Sequence, residues 1–515
     1  MSKYLCSFDM GTTGVKVGIL TRDGQLLGTT YREYGIQISG QQWVEQSIEE
    51  MWQAQSEACK ELLLETGIDP KEIAAIGVSC QRATYAPLGE GLKPLTNFIG
   101  WQDQRGIQQC EEMKRTIGLE KYYKIAGLPI DPIAAVSKIV WLKENDPETF
   151  EKTQMFASTQ NVHLHQLGVE NPPCDLADAA YMGLLDVDNL VWSQELLDAL
   201  GIPAEKMPDL VPSGTLVGEV SKKAADATGL AEGTPISAAG GDLQNAGLGM
   251  GVAQPGFVSV GIGTGGGVLI GTEKPRRHPD ISLNCLPHAV EGMWEMEGIA
   301  LASGGAYKWL RDTLGEIERV EAAEKGVDPY EILNEKAASA PPGSNGLIIM
   351  PLLLGAGSPN WNPKARGVML GVTSSTTKGD MVRALLEGIC LEIRWIIEEA
   401  EKLGTDIEEV RIWGGAAKSS LWNQIAADVY GVPAAKTKIP DAGLVGAAIC
   451  AGVGIGMFEN AQEGAQTMVR ISERYEPDPD NTAMYREKFA IYKKAYDALV
   501  TAGVFEDMSA QFSNE

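Results

Sequence analysis

A strand, a Gly-Thr turn and a second strand form the pattern that most restricts the fold of this chain, and the sequence contains it twice. The first copy is FDMGTTGVKVGIL at residues 8–20, and the second is VSVGIGTGGGVLIG at residues 258–271. A shift of 252 positions superimposes the two turns, with Gly11 on Gly263, Thr12 on Thr264 and Asp9 on Gly261. This comparison leaves two interpretations open: hairpins of two related domains, or two unrelated β-turns.

Each turn has the composition of a phosphate-binding loop. Glycine lets consecutive backbone N–H groups face one ligand, and a threonine hydroxyl adds a polar contact. A carboxylate that holds a metal ion is needed at only one of the two hairpins, and Asp9 is present only in the first. If the hairpins are related, they predict a nucleotide clamped between the two halves of the chain.

The length and the element pattern predict two domains of the α/β class. A chain of 515 residues is too long for a single core. Strand-like runs alternate with amphipathic helical patterns, among them residues 48–67 and 380–404. Glycine and proline interrupt the midpoint of the chain around residues 249–256. We expect the domains at residues 1–252 and 253–515.

The formal net charge of −26 argues against extended contact with nucleic acid, because the phosphate backbone would be repelled. The same charge would repel a nucleotide triphosphate. Such a ligand therefore needs local backbone N–H donors and a metal ion rather than a basic surface.

Two features predict a protein of the reducing cytoplasm. The start of the chain, MSKYLCSFDM, lacks a basic segment followed by an apolar one, and no apolar run reaches about 18 residues. The eight cysteines are scattered, without a CxxC pair or zinc-type spacing, so buried free thiols are expected.

A second carboxylate of interest lies in ISAAGGDLQNAGLGMG, residues 236–251, where Asp242 follows an apolar strand and two glycines and precedes a small-residue helix. The glycines allow a close backbone approach, and the helix N-terminus adds positive potential. Taken alone, Asp242 fits a helix N-cap. Between two phosphate hairpins, it also fits a general base that accepts the proton of a substrate hydroxyl.

The segment VRIWGGAAKSSLWNQIAADVYG, residues 410–431, predicts a strand, a glycine turn and a helix. Bare backbone at such a turn leaves room for the flat ring of an adenosine. The sequence contains no P-loop motif GxxxxGK[ST], and GxGxxG does not occur between a strand and a helix. Two common nucleotide-binding folds are therefore set aside.

Together these motifs resemble the FGGY carbohydrate kinases of the actin, Hsp70 and sugar-kinase superfamily, and the resemblance covers nearly the whole chain. Its most specific element is GVMLGVTSSTTKGDMVRALLEG at residues 367–388, which fits the C-terminal signature of the family throughout. SKIVWLKEN matches the N-terminal signature in part, with Ala135 where Ser, Thr or Pro is usual. The resemblance implies an ATP-dependent sugar kinase with two ribonuclease-H-like α/β domains and a cleft between them.

The resemblance also implies roles for the motif residues. The metal ion would be Mg²⁺, held by Asp9 through water and by Asp242, which would also be the catalytic base. The contacts to ATP would be Gly11, Thr12 and Thr13 in a first phosphate loop, Gly263, Thr264 and Gly265 in a second, and Gly414, Gly415, Ala416 and Ser419 at the adenosine.

The sugar would be bound mainly by the N-terminal half, in the segments GVSCQRATYAPL and GWQDQRG. The expected contacts are Gln81, Arg82, Trp101 as a wall, Asp103 as a hydroxyl acceptor, Asp242 as the base and Gln244 two residues after it. Two of these residues have structural alternatives. An ion pair with Arg82 or Arg105 explains Asp103 as well as a sugar contact does, and Trp101 also fits the core.

Departures from known branches of the family narrow the expected substrate. Ala83 and Ile133 stand where glycerol kinases carry Glu and Tyr, which argues against glycerol. Xylulokinases usually carry Met-His in place of Gln81-Arg82 and Asn in place of Leu243, yet the segment WQDQR and the tail resemble their branch most. D-xylulose is the first expectation, with L-ribulose, L-xylulose, gluconate and erythritol as alternatives.

The expected ligands are therefore the sugar, ATP and Mg²⁺, without nucleic acid or membrane, and analogy with relatives suggests a homodimer. Two other classes share parts of the pattern. An actin-like or Hsp70-like nucleotide-binding module shares the Asp-Gly-Thr hairpin but lacks the equivalents of Asp242 and of the signature 367–388. A catalytically silent sugar sensor has no need to keep the metal, phosphate and base residues together.

Overall fold

The computed structural model describes residues 3–40 and 42–512 of the chain. The strands of the first half are β1 (Tyr4–Met10), β2 (Gly14–Thr21), β3 (Leu26–Glu33), β4 (Gln37–Ser39), β5 (Trp43–Gln46), β6 (Ile73–Cys80), β7 (Tyr85–Leu88), β8 (Phe98–Ile99), β9 (Met155–Ser158), β10 (Cys174–Asp175), β11 (Leu185–Asp186), β12 (Val191–Trp192), β13 (Leu210–Val211), β14 (Leu216–Glu219) and β15 (Pro235–Gly241). The helices of this half are α1 (Ile48–Thr66), α2 (Ile107–Thr116), α3 (Leu119–Ala126), α4 (Ala135–Asn145), α5 (Pro147–Lys152), α6 (Thr159–Leu167), α7 (Leu176–Ala179), α8 (Gln194–Leu200), α9 (Lys222–Thr228) and α10 (Asp242–Gly249).

The second half continues with further strands and longer helices. Its strands are β16 (Phe257–Ile262), β17 (Gly266–Thr272), β18 (Asn284–Pro287), β19 (Trp294–Ala300), β20 (Ile348–Met350), β21 (Val368–Leu370), β22 (Glu409–Gly414), β23 (Ala434–Thr437) and β24 (Ile471–Tyr475). Its helices are α11 (Ser303–Thr313), α12 (Glu316–Lys325), α13 (Pro329–Ala338), α14 (Lys378–Lys402), α15 (Ser420–Tyr430), α16 (Ala442–Gly454), α17 (Ala461–Met468), α18 (Pro479–Thr501) and α19 (Val504–Phe512).

Each half is built around one large sheet, and the two sheets share one topology. The strand order is β3-β2-β1-β6-β15-β14 in the first sheet and β19-β17-β16-β22-β23-β24 in the second, where β18 adds an outer edge. Along both orders the strand pairs run antiparallel, antiparallel, parallel, parallel and antiparallel. The predicted α/β class with two related domains is confirmed, and the two Gly-Thr hairpins occupy equivalent places in it.

The long helices lie close to their predicted positions. Helix α1 begins after Ser47, whose hydroxyl accepts a hydrogen bond from the Glu50 N–H, and ends at Gly67 in the left-handed region. Helix α14 begins two residues before its predicted start at 380, because Thr377 and Asp380 form a reciprocal capping box. Capping chemistry therefore sets the ends of both helices.

The two halves interlock through α10 and α16, the helices that follow equivalent parallel strands, β15 and β23. A Cβ atom on Gly446 of α16 would lie 2.0 Å from the Asn245 carbonyl oxygen, and one on Gly249 of α10 would lie 1.9 Å from that of Ala442. Glycine is therefore required at both positions for the helix backbones to approach this closely. The pair of helices joins the two sheets.

Helix α16 also completes the core of the first sheet. Gly77 of β6 lies against it, since a Cβ atom there would be 2.0 Å from the Ala447 carbonyl oxygen. Leu5 and Ala75 from the first sheet form one buried cluster with Ile449 and other apolar residues of α16 and α17. The sheet of the N-terminal half is thus covered on one face by a helix of the C-terminal half.

The C-terminal signature has a structural role in the second half. Glu387 of α14 is fully buried and accepts hydrogen bonds from the Gly343 N–H, the Ser344 hydroxyl and the Tyr485 phenol, over 2.7–3.0 Å. It also pairs with Lys488 of α18 over 2.6 Å. One buried carboxylate therefore ties α14 to α18 and to the turn before β20.

Two further expectations concern the whole chain. The eight cysteines are all buried free thiols, as predicted. Within the described ranges, no helix is long and apolar enough to cross a membrane.

Candidate active site

The first turn, between β1 and β2, is held by a hydrogen bond within the hairpin and by two side chains from outside it. The Gly11 N–H donates to the Gly14 carbonyl over 3.0 Å, and the Tyr34 hydroxyl donates to the Gly11 carbonyl. The indole N–H of Trp101 donates to the Thr12 hydroxyl oxygen over 3.0 Å. A residue predicted for the sugar site thus contacts a residue predicted for the phosphate site.

The second turn, between β16 and β17, is one residue shorter than the first. Three residues, 263–265, separate its last paired positions, whereas four residues, 11–14, separate those of the first turn. A shift of 252 positions therefore aligns the two hairpins up to Thr264, and the second strands align one position earlier. The Gly305 N–H donates to the Thr264 carbonyl over 2.8 Å, which places the N-terminus of α11 against this turn.

Asp9 lies near the end of β1 beside the start of α16. A Cβ atom on Gly443 would lie 2.7 Å from the Asp9 carboxylate, so this glycine lets the helix pass close to the acid. Burial, and then the charge of Asp242, raise the pKa of Asp9 to about 7, and Lys16 opposes this shift. Lys16 is itself paired with Asp441 at the head of α16, which links the two halves beside Asp9.

Asp242 is the first residue of α10, with Gly241 at the N-cap position. Its carboxylate accepts a hydrogen bond from the Leu243 N–H over 2.8 Å and lies 3.3 Å from Nε of Arg82. The side chain is 42 % exposed, so the helix end and the guanidinium hold a carboxylate that still faces the cleft. Loss of hydration in the folded protein raises the pKa of Asp242, while the charge of Arg82 opposes that shift.

Arg82 is held in place by a residue of the second half. Its guanidinium makes two hydrogen bonds to the Glu297 carboxylate, over 2.6 and 3.3 Å, and lies 4.1 Å from the centre of the Tyr181 ring. The Tyr181 hydroxyl donates to Glu297 over 2.5 Å. A Cβ atom on Gly241 would lie 2.4 Å from the Arg82 side chain, so the glycine before Asp242 makes room for it.

A chain of amide groups joins Gln81 to the first turn. The Gln46 Nε2 donates to the Thr12 carbonyl over 2.7 Å, and the Gln81 Nε2 donates to Gln46 Oε1 over 2.7 Å. A carbonyl can only accept, so Gln46 must turn its NH₂ group to Thr12 and its oxygen to Gln81. Gln81 Oε1 is left buried without a partner among the described residues. This orientation leaves Gln81 a free acceptor.

Gln244, two residues after Asp242, has a similar arrangement. Its Nε2 lies 2.7 Å from Glu295 Oε1, and its own Oε1 has no partner within the described part of the chain. Both side chains are buried. Burial raises the pKa of Glu295 well above its ordinary range, and so does the charge of Glu297.

The contacts of Asp103 and Trp101 can be compared with their two predicted roles, a sugar contact or a structural contact. Asp103 is fully buried, pairs with Arg105 over 2.8 Å and accepts the Val44 N–H over 2.6 Å. It makes the ion pair with Arg105 rather than with Arg82. Trp101 is half-buried against the core of the first half, yet its N–H reaches Thr12.

The turn predicted for adenosine lies at the end of β22. Gly414 has a φ of 81°, and a Cβ atom there would lie 2.5 Å from the Ile262 carbonyl oxygen, so only glycine fits. Gly415 is exposed, whereas Ala416 is buried and Ser419 caps α15 by accepting the Trp422 N–H. The two glycines are the part of this turn that presents bare backbone.

Several residues at the site were missed in the sequence. Glu297, Glu295 and Tyr181 have no local motif, and they approach Arg82 and Gln244 only because β19 and the segment after α7 meet there. Acidic residues at alternate positions of the otherwise apolar run WEMEGIA were the available signal. Gln46 gave no signal, since an isolated glutamine on a short strand is common.

Two sheets of one topology, each with a Gly-Thr turn beside a cleft that contains Asp242, define the two-domain actin-like class of phosphotransferase and ATPase folds. Residues 4–249 match the N-terminal domain of the FGGY family of carbohydrate kinases, and residues 258–455 match its C-terminal domain. The chain belongs to the FGGY family, and it is an ATP-dependent sugar kinase.

The relatives differ in the substrates that their names state. The chain is 31% identical to the glycerol kinase of Carboxydothermus hydrogenoformans, over 98% of this chain and 99% of that protein. It is 29% identical to the xylulose kinase of Bacillus subtilis, over 96% and 97%. The gluconate kinase of Lactobacillus acidophilus has a similar structure, with a TM-score of 0.88, 26% identity, and coverage of 96% of this chain and 98% of that one. Overall similarity therefore leaves the substrate unassigned.

Proposed function

We propose that this kinase transfers the γ-phosphate of ATP to a terminal hydroxyl of a ketopentose, with D-xylulose as the first candidate, and that Asp242 is the general base. One observation carries the assignment of the base. Asp242 is a carboxylate that faces the cleft, is oriented by Arg82 and the Leu243 N–H, and lies close enough to Asp9 to raise its pKa.

The position of Asp242 relative to both hairpins supports this role. Its neighbour Leu243 packs on the second hairpin, since a Cβ atom on Gly267 would lie 3.2 Å from the leucine side chain. Its charge acts on Asp9 of the first hairpin. A substrate hydroxyl beside Asp242 would therefore lie between the two turns proposed to bind phosphate, Gly11–Thr13 and Gly263–Gly265.

The donor set at Asp9 fits Mg²⁺. Residues 3–40 and 42–512 contain no group of three or more His, Cys, Asp or Glu side chains placed to hold a metal ion. Mg²⁺ in kinases needs only one or two carboxylates, with water and phosphate oxygens completing its shell. Asp9 and Asp242 are two carboxylates whose mutual repulsion a cation would relieve, and we propose them as its ligands. When bound, Mg²⁺ would neutralise charge on the phosphate oxygens.

The residues of the chain then have separate tasks in the transfer. Asp242 accepts the proton of the attacking hydroxyl, and Arg82 keeps that carboxylate ionised and oriented. Backbone N–H groups of the two turns orient the terminal phosphate, and Gly414 and Gly415 leave room for adenosine. Phosphoryl transfer depends mostly on such alignment and charge neutralisation, because the transferred group is only loosely bonded in the transition state.

Support for a ketopentose comes from the sugar side of the cleft. Ala83 and Ile133 remove the Glu and Tyr side chains of glycerol kinases, and Ile133 packs against the core of the first half. Gln81 and Gln244 each offer a buried amide oxygen that has no partner among the described residues, and a sugar hydroxyl would satisfy it.

A coupled ADP-release assay across pentuloses, hexuloses, polyols and sugar acids tests this proposal. We expect the highest kcat/KM with D-xylulose, and little ATP turnover without sugar because water is excluded from a closed cleft. Fast ATP turnover that no sugar changes would contradict the kinase mechanism. A higher kcat/KM for a hexulose or a polyol would contradict the choice of D-xylulose alone.

The Asp242→Asn variant tests the base. We expect turnover to fall by about 10²- to 10⁴-fold, because the amide cannot accept the hydroxyl proton. The affinity for MgADP, measured by titration calorimetry, and the melting temperature should stay close to those of the unmodified enzyme. Near-normal turnover in this variant would remove Asp242 from the mechanism.

A further inference from the structure

The charge of Arg82, the cation that faces Asp242, is already matched by protein carboxylates. Glu297 binds both ends of the guanidinium, and Asp242 lies 3.3 Å from its Nε. Arg82 and Glu297 are both largely buried, with side-chain exposures of 12% and 9%. A buried bidentate pair of this kind neutralises its cation and holds it rigidly.

Tyr181 and Asn284, two further side chains near Arg82, are uncharged. The Tyr181 ring covers the guanidinium and its hydroxyl donates to Glu297, while the Asn284 amide donates to that hydroxyl over 3.0 Å. Glu295 is deeply buried and accepts a hydrogen bond from Gln244, and burial raises its pKa. Arg82 therefore has Glu297 on both of its terminal nitrogens and Asp242 beside its Nε, so its hydrogen-bonding fork is already occupied.

We infer that Glu297 is a specificity-determining residue that makes the sugar site select neutral sugars and polyols over sugar acids. The inference rests on the proposed function, because it takes Arg82 and Asp242 as the substrate-facing pair. A carboxylate brought to this site would meet the Asp242 carboxylate and an arginine whose fork is already occupied, and it would lose its hydration. A neutral hydroxyl loses much less, and it finds acceptors in Asp242 and in the free amide oxygens of Gln81 and Gln244.

The same geometry explains why the arginine does not make the site a receptor for acids. An unpaired arginine binds a carboxylate through two parallel hydrogen bonds, and Glu297 already occupies that fork. A sugar acid would have to displace Glu297 and leave it buried without its partner. An occupied arginine thus gives specificity by disfavouring sugar acids rather than by adding contacts to neutral sugars.

Matched pairs of ligands that differ only in one carboxylate test the inference. D-sorbitol against D-gluconate and xylitol against D-xylonate are compared by titration calorimetry in the presence of MgADP, and as inhibitors of sugar phosphorylation. We expect each neutral member to bind at least about tenfold more tightly than its acid partner. Equal or tighter binding of the acids, or D-gluconate as the best substrate, would overturn the inference.

The Glu297→Gln variant frees the charge of Arg82 and should lower the neutral-to-acid preference by about tenfold, mainly through tighter binding of the acids. Tyr181→Phe is the matched control, because it removes a hydrogen bond to Glu297 without changing the charge. Its preference should stay within about twofold of that of the unmodified enzyme. An unchanged preference in folded Glu297→Gln, or an equal loss in Tyr181→Phe, would overturn the role of Glu297.

The binding measurement separates this inference from the proposed function. Preferential binding of the neutral members without phosphorylation of any sugar would contradict the kinase mechanism and support the charge selection. Phosphorylation of sugar acids as readily as of neutral sugars would support the kinase mechanism and contradict the charge selection.

Discussion

Asp242 can act as a base only while it is ionised, and at the scale of single residues its neighbours control that state. Loss of hydration raises the pKa of Asp242 most, and the charge of Glu297 raises it further. Arg82 and the Leu243 N–H lower it. Opposing effects on its pKa, and not its exposure alone, therefore set the ionisation of Asp242.

This balance predicts the acid side of the pH–rate profile. Because the pKa of Asp242 is raised, the base becomes protonated as the pH falls through a value above the ordinary one of about 3.9. We expect kcat/KM to be full above this pKa and to fall about tenfold per pH unit below it. Measurement of kcat/KM between pH 4 and 9, with the fold checked by circular dichroism, tests this.

Glu297→Gln identifies the titrating group. Removal of the Glu297 charge should move the midpoint of the acid limb to lower pH, because that charge raises the pKa of Asp242. The charges that raise the pKa of Asp9 are those of Asp242 and Asp441. An acid limb that does not move in this variant would therefore belong to Asp9 and contradict the assignment.

A second prediction at the residue scale concerns the amide chain from Gln81 through Gln46 to Thr12. Without any sugar present, Gln81→Met should weaken MgADP binding by about 2- to 10-fold, the value of one hydrogen bond. In a Gln46→Met background the same change should have almost no further effect. Titration calorimetry of the four proteins of this double-mutant cycle measures the coupling.

Gln109→Met is the control for this cycle, because Gln109 is a buried glutamine that donates to Glu144 away from the cleft. It should leave the MgADP affinity unchanged. Additive effects of Gln81→Met and Gln46→Met would show that the amide chain does not connect the two sites.

At the scale of elements, the contact between α10 and α16 depends on glycine in both helices. A methyl group on Gly446 would come within 2.0 Å of a backbone oxygen, which cannot rotate away as a side chain can. Gly446→Ala should therefore lower the free energy of unfolding by about 1–3 kcal/mol, as overpacked cores do. Thermal and urea denaturation measure the change.

Gly35→Ala is the control for this substitution. A Cβ atom on Gly35 would meet only the Glu50 carboxylate, at an ordinary distance of 3.5 Å. We expect a change within about 0.5 kcal/mol at this position. An equally small effect of Gly446→Ala would mean that the helices separate at little cost.

Much at this scale could be predicted from the sequence. The Gly-Thr hairpins, the ends of α1 and the strand-to-helix junction at Asp242 depend on local chemistry, which neighbouring residues carry. The pairing of Arg82 with Glu297, 215 positions away, depends on how two sheets meet, and no local pattern records it. The shorter second turn was also missed, because a repeat of glycines hides where a residue has been lost.

At the scale of the whole molecule, two copies of one sheet topology are joined through the contact of α10 with α16. Residues 1–252 contain every strand of the first sheet but not α16, which covers one of its faces. We expect a fragment of residues 1–252 to lack a cooperative thermal transition and to bind an apolar dye, unlike the full chain. A cooperative transition near that of the full chain would contradict this prediction.

The place of α16 in the chain has a consequence for synthesis. The first sheet is complete once Gly241 leaves the ribosome, but the helix that covers it ends at Gly454. At about 5–20 residues per second, the sheet waits roughly 10–40 s for its cover. During that interval Leu5 and Ala75 face water or a chaperone. A chain that ends between Gly241 and Gly454 therefore has the first sheet without its cover, and we expect it to display an apolar surface that the finished enzyme hides.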